Sequence, residues 1–239
     1  MAFPYGFEVF DNCLTCRWRA DKFFCNLEGE AVAAFDRMAF TSVYPAGSVL
    51  FSQGEQPRGV FMLCRGKAKL TTASSTGKTL IARVAEEGEV LGLSGSIAGM
   101  PYRLTAETVE PAQIKFIKRE DFLSFLHEHG EACFQAAQQL AQECHASADH
   151  VRSLGLSHSA AEKLAHLLLS WVEDSGKSTD AGVRLKLMMT HQEISQMIGT
   201  SRETVTRLLG EFRDKGIISI KGSTLLVHET RALQAMVLL

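Results

Sequence analysis

Three cysteines stand close together near the start of the chain, Cys13, Cys16 and Cys25 in DNCLTCRWRADKFFCNL. In this C-x2-C-x8-C pattern, two thiolates two residues apart can turn toward one metal, and the third supplies another corner of a tetrahedral site. A fourth donor must come from elsewhere, and three further cysteines are available. Cys64, in FMLCRG ahead of a turn, is the first choice, with Cys133 and Cys144 as alternatives. Free cysteine also behaves as a small apolar residue, so Cys64 equally suits a buried strand and Cys144 a helix seam. The N-terminal three lie in a polar segment with no core to fill.

A second group with usable chemistry is TSRETVTR, residues 200–207. Thr190 with Glu193 and Thr200 with Glu203 read as two capping boxes, so two short helices begin ten residues apart. Gly199 marks the turn between them, and Ile194, Met197, Ile198, Val205, Leu208, Leu209 and Phe212 provide faces to bury. This spacing is that of a helix-turn-helix. On the second helix Arg202, Glu203, Thr206 and Arg207 then face outward, with Ser201 at the start. Arginine can grip O6 and N7 of guanine, and glutamate can accept from N4 of cytosine, so the set suits reading base edges in a major groove. A plain i,i+4 ion pair between Glu203 and Arg207 is the competing account. The runs Ile217–Ile220 and Thr224–Val227 then form a hairpin, a wing whose tip brings Lys221 or Ser223 to phosphate.

The formal charge of −2 over 239 residues rules out broad attraction to nucleic acid, so any DNA contact must be a local patch. No signal peptide and no run of about 18 apolar residues is present, which predicts a cytoplasmic protein without a membrane partner. Six cysteines in a reducing compartment are then free, metal-bound or redox-active rather than a disulfide framework. The eight histidines are scattered and no Ser-His-Asp, H-E-x-x-H or phosphate-loop pattern occurs, so an enzyme is not expected.

The elements that must position these groups follow from periodicity. Residues 1–30 form a cysteine-rich segment, and 31–39 read as a short helix within a unit spanning 31–118. From Val43 to Lys118, short β-branched runs alternate with glycines, the texture of a sandwich or jelly roll. Residues 119–154 read as one long helix, in which Phe134, Ala137, Ala141, Cys144, Ala148 and Val151 make a heptad seam; a helix lying on its own β domain is the competing account, and the alternating register favours a seam for a second copy. From Ser157 another helix begins, closed by the polar loop EDSGKSTDAG, inside a C-terminal unit of residues 155–239.

On YPAGSVLFSQGEQPRGVFMLCRGKAKL, EEGEVLGLSG and THQEISQMIGTSRETVTRLLGEFRDKGII, the chain resembles the Crp/Fnr superfamily of bacterial transcription regulators. The resemblance implies an α+β fold: a β-roll sensor domain, a long dimerisation helix and a C-terminal winged helix-turn-helix. It implies a homodimer that binds double-stranded DNA and works with RNA polymerase. SRETVTR is similar to the Crp-type reading helix, with Arg202, Glu203 and Arg207 at the matching positions, which implies a palindrome of TGTGA-like half-sites. Thr206 holds the position of an Fnr-type serine. In the cyclic nucleotide cassette, the position of the family's ribose-binding glutamate is Leu93, and Arg103 has lost its neighbouring hydroxyl, so cyclic AMP is not expected. The cysteine-rich segment resembles that of Fnr proteins, which implies a [4Fe-4S] cluster and sensing of oxygen, nitric oxide or redox state. Zinc, a thiol switch, or another small molecule in the β roll are the alternatives. Near Gln113, where the family's last ligand would align, no cysteine occurs.

Overall fold

Short apolar runs between glycines become strands in the computed structural model, which describes residue 6 and residues 9–17, 19, 21–157, 159–187 and 189–237. Parts of the 1–30 segment, and His158 at the start of the helix expected from Ser157, thus lie outside the described residues. The chain divides into two units, residues 1–146 and 147–239.

The first unit opens with α1 (Gly29–Met38) and continues through β1 (Phe40–Tyr44), β2 (Val49–Phe51), β3 (Gly59–Arg65), β4 (Ala68–Ala73), β5 (Thr79–Ala85) and β6 (Val90–Leu91). A short helix α2 (Leu93–Ala98), β7 (Thr105–Thr108) and β8 (Ala112–Lys118) complete the roll. Two antiparallel sheets, in the orders β1-β8-β3-β6 and β2-β7-β4-β5, bury Phe51, Phe61, Leu63, Leu70 and Ile114. Strand alternation sends the other face of β3 and β8 outward, where Val60, Met62 and Ile117 join Phe24, Phe35, Phe122 and Phe125 in a second core. That second core lets the N-terminal segment, α1 and the following helices dock on the roll.

The single helix expected over 119–154 is two. α3 (Arg119–Glu128) stops at His129, whose backbone is extended, and α4 runs from Gly130 to Leu156. The His129 N–H closes α3 on the Phe125 carbonyl, and glycine, a poor helix former, follows. The break allows Phe122 and Phe125 of α3 and Ala132 and Ala136 of α4 to enter the same core.

In the second unit, α5 (Ala160–Ser175) is capped by Ser159, which accepts from the Glu162 N–H, so the start expected at Ser157 moves two residues. The segment expected to be a closing loop instead forms β9 (Lys177–Thr179) and β10 (Gly182–Lys186). Then come α6 (His191–Ile198), α7 (Arg202–Asp214), β11 (Ile218–Lys221), β12 (Thr224–Val227) and an unforeseen α8 (Thr230–Val237). The wing is therefore a four-stranded sheet, β11-β12-β10-β9, rather than a bare hairpin. Gly182 permits the joint: its φ is +127°, and a Cβ there would meet the Val227 carbonyl oxygen at 2.2 Å.

Candidate functional site

At the C-terminal site, Thr190 caps α6 with a complete capping box: its hydroxyl accepts from the Glu193 N–H while the Glu193 carboxylate accepts from the Thr190 N–H. Gly199, in the left-handed region, ends the helix and turns the chain. The second box is not formed as expected. Ser201, not Thr200, caps α7, accepting from the Thr204 N–H, because the turn after Gly199 takes one residue more. Val205, Leu208, Leu209 and Phe212 are buried against Ile194, Ile198 and Leu225. That packing fixes the rotation of α7 and leaves Ser201, Arg202, Glu203, Thr206 and Arg207 exposed.

Arg207 pairs with Glu211 one turn on, not with Glu203, so the expected competing pair is absent and another takes its place. The Glu203 carboxyl is held below its usual range by its own backbone N–H, the Ser201 hydroxyl and neighbouring Arg202. The Thr206 hydroxyl donates to the Arg202 carbonyl at 3.0 Å and lies 2.8 Å from Nδ1 of His191 on α6. At the wing tip, Lys221 and Ser223 flank Gly222 and are exposed.

The N-terminal site is built on the outward face of β3 and β8. Cys13 opens a short 3-10 turn, Cys13–Thr15, that Cys16 ends, and Cys25 lies in another, Phe23–Asn26, anchored by buried Phe23 and Phe24. Cys64 sits in β3 where its register with β8 shifts between Leu63 and Arg65, a bulge that frees it from regular pairing. Cys13, Cys16, Cys25 and Cys64 line one cavity that is partly open to solvent. Phe24, Val32, Phe35 and Met62 form its apolar wall, and Arg19 and Lys115 bring cations to it. Cys133 and Cys144, the alternative fourth donors, are exposed on α4.

Burial pushes the Cys13 thiol up to about 12 against the opposing charge of Lys115, and burial raises Cys64 further. Both are therefore neutral thiols at pH 7 unless a metal displaces their protons. Among the described residues, no three His, Cys, Asp or Glu side chains are already drawn together around one ion. The donor chemistry nonetheless fits: four soft sulfur donors facing one largely apolar cavity are the set that zinc and iron-sulfur clusters use.

The other expected positions fall as follows. Along α4, Ala132, Ala136 and Gln139 face inward, and Phe134, Ala137, Ala141, Cys144, Ala148 and Val151 are exposed along another side. Phe134 and Val151 are 62% and 69% exposed, large apolar side chains left without a cover in the single chain. Leu93 is buried in the second core, and Arg103 is exposed. Tyr102 stacks on Phe51 at 4.1 Å and donates its hydroxyl to the Gly59 carbonyl.

Sequence reasoning missed Gln113, Lys115 and Asp36. The alternation in QIKFIK marks Gln113 and Lys115 as one face of a strand, and a polar face normally meets water. Here it meets the N-terminal segment instead.

A β roll followed in the chain by a winged helix-turn-helix defines the class of DNA-binding transcription regulators. Residues 162–236 match the Crp-like helix-turn-helix domain, and residues 41–129 match the cyclic nucleotide-binding domain. The chain belongs to the Crp/Fnr superfamily. Among similar proteins is the CRP-like cAMP-activated global transcriptional regulator of Mycobacterium tuberculosis, 22% identical over 88% of this chain and 93% of its own length. The global nitrogen regulator of Synechocystis is 27% identical over 80% of this chain and 85% of its own. A solved structure of a CooA mutant from Carboxydothermus hydrogenoformans matches the fold with a TM-score of 0.78 at 20% identity, covering 91% of this chain and 97% of that one. No helix among the described residues is long and apolar enough to cross a membrane.

Proposed function

We propose that this regulator is a cytoplasmic homodimer that senses oxygen, nitric oxide or redox state through a [4Fe-4S] cluster held by Cys13, Cys16, Cys25 and Cys64. The observation that carries the reading is the convergence of these four cysteines, from three separate stretches of chain, on one cavity. Cys133 and Cys144 take no part in it. When bound, such a cluster supplies a centre that oxygen and nitric oxide can degrade. The chain supplies the coupling: three donors sit on the N-terminal segment and one on the roll, so filling the cavity and docking the segment are one event.

DNA reading belongs to Arg202, Glu203 and Arg207, with Ser201, Thr206 and Lys221 beside them, at TGTGA-like half-sites of a palindrome, and RNA polymerase is the further partner. The exposed stripe from Phe134 to Val151 suits a second copy, which would set the two reading helices about 34 Å apart for successive major grooves. Cyclic AMP is not the effector in this reading, although relatives are named as cAMP-activated, because Leu93 offers no acceptor for a ribose hydroxyl and is buried.

The test is a visible spectrum with iron, sulfide and zinc analysis on protein purified without oxygen, repeated after air exposure. About four irons per chain, bleaching in air with loss of DNA binding, is expected. Serine at Cys13, Cys16, Cys25 or Cys64 should abolish iron binding, and serine at Cys133 or Cys144 should not. A colourless protein with about one zinc would refute the cluster and make the same four thiolates a structural clasp.

A further inference from the structure

Lys115 is an anomaly in its place. It stands on strand β8 with a side chain only 2% exposed, between two cores built of apolar side chains, where Gln113 is the other buried polar side chain of that strand. A buried ammonium is costly unless its protons are all engaged, and methionine or leucine would fill the same space without that cost.

Its hydrogen bonds show what it holds. Nζ donates to the Asp11 carbonyl at 2.6 Å and to Oδ1 of Asp36 at 2.5 Å, and that same Asp36 oxygen accepts the Cys13 N–H at 3.0 Å. Two residues back on the strand, the Gln113 amide donates to the Phe10 carbonyl and accepts the Phe10 N–H. Residues 10–13 are thus tied down by side chains of β8 and α1. Burial works against charge on both members of the pair, but the bond between them prevails: Asp36 is held below the usual carboxylate range and Lys115 above the usual ammonium range. Lys115 also lines the four-cysteine cavity. The other cation there, Arg19, uses its guanidinium on the carbonyls of Cys25 and Leu27.

We propose that Lys115 and Asp36 are positioning residues of the four-cysteine site: together they hold the Cys13 backbone against the cavity, and Lys115 places one buried positive charge beside the thiolates. The inference rests on the four-cysteine reading. Four thiolates around a divalent ion, or around a cluster of charge 2+, leave two net negative charges in an apolar pocket. A fixed cation offsets part of that charge, and Arg19 bonded at the Cys25 side offers a second.

The experiment uses the full chain, reduced and metal-free, titrated with Co2+ without oxygen, because thiolate-to-cobalt charge-transfer absorption reports sulfur ligation directly. Wild type, Lys115→Met, Lys115→Arg, Asp36→Asn and Gln113→Met are compared, with thermal unfolding of each metal-free form as the control for folding. Lys115→Met keeps most of the side-chain volume and removes the charge. It should weaken Co2+ binding roughly 10–100-fold, the effect usual for outer partners of metal ligands. Asp36→Asn should do the same, and Lys115→Arg should restore most of the affinity. Gln113→Met frees Phe10 and leaves the charge, so it should cost less than Lys115→Met. If wild type shows the thiolate bands and a folded Lys115→Met binds equally well, the positioning role is refuted while the four-cysteine site stands. If Gln113→Met weakens binding as much as Lys115→Met and arginine does not rescue, docking alone is at work and the charge role is refuted. If wild type shows no thiolate bands, both the site and the proposal fall.

Discussion

Replacing Arg202 by alanine should separate base reading from mere electrostatic attraction. Arg202 is exposed at the first turn of α7, on the side that packing leaves outward. A bidentate arginine–guanine contact contributes about 1–3 kcal/mol of discrimination. In a homodimer on a palindrome both half-sites lose it, so the loss is about 2–6 kcal/mol, or roughly 30-fold to more than 10,000-fold in Kd. Arg207 differs because it starts in an ion pair with Glu211, the two side chains being 62% and 43% exposed. Giving up such an exposed i,i+4 pair costs about 0.3–0.5 kcal/mol. Arg207→Ala should therefore cost slightly less per half-site than Arg202→Ala. Glu211→Gln, which frees Arg207, should tighten binding up to about twofold per half-site. The assay is fluorescence anisotropy at fixed ionic strength, with a TGTGA palindrome and duplexes carrying each base pair replaced in turn. Base reading predicts that Arg202→Ala flattens the preference at one position. An equal loss on every duplex, with the salt slope reduced by about one, would instead assign Arg202 to phosphate and refute the reasoning.

The remaining predictions concern the sensor unit. Gln139, 1% exposed on α4, accepts the Val90 N–H at 3.0 Å and donates to the Val90 carbonyl at 2.7 Å, finishing the open edge of β6. Gln139→Leu strands both groups, each costing about 1–3 kcal/mol, and urea unfolding should show the loss; an unchanged midpoint would mean that the edge bonds carry no net stability. Phe134→Asp puts a charge into the exposed α4 stripe, so sedimentation should show a shift from dimer to monomer with the metal-free fold intact, and a persistent dimer would move the interface elsewhere. The folded thiol of Cys13 titrates near about 12 instead of 9.0, so its retained proton stabilises the metal-free protein below about pH 9, and that contribution is lost as pH rises toward 12. Thermal stability of the metal-free protein should fall across that window. Cys13→Ser should fall less, and an identical profile would show that Cys13 does not titrate there.

What the sequence determined by itself was whatever depends on neighbours a few residues apart. The Thr190–Glu193 box, the turn at Gly199 and the 3.6-residue spacing of Val205, Leu208, Leu209 and Phe212 are local, so they specify the helix-turn-helix and the outward set Arg202, Glu203, Thr206 and Arg207. The glycine-punctuated strands of the roll were legible for the same reason. Local signals failed where competing options were nearly equal in energy. Thr200 and Ser201 are both good caps, and the turn geometry chose Ser201. Nothing but Gly130 marked a break between α3 and α4, and packing of both helices on one core decided it. The polar run after α5 became β9 and β10 because the edge of β12 gave it a partner. Long-range meetings belong to the tertiary structure alone. It brought Cys64 to the cavity of Cys13, Cys16 and Cys25, and it turned Gln113 and Lys115 from a strand face that should meet water into the clamp on residues 10–13. A side chain's partners across fifty or a hundred residues depend on which surfaces the sheets leave to be covered, and no local periodicity encodes that.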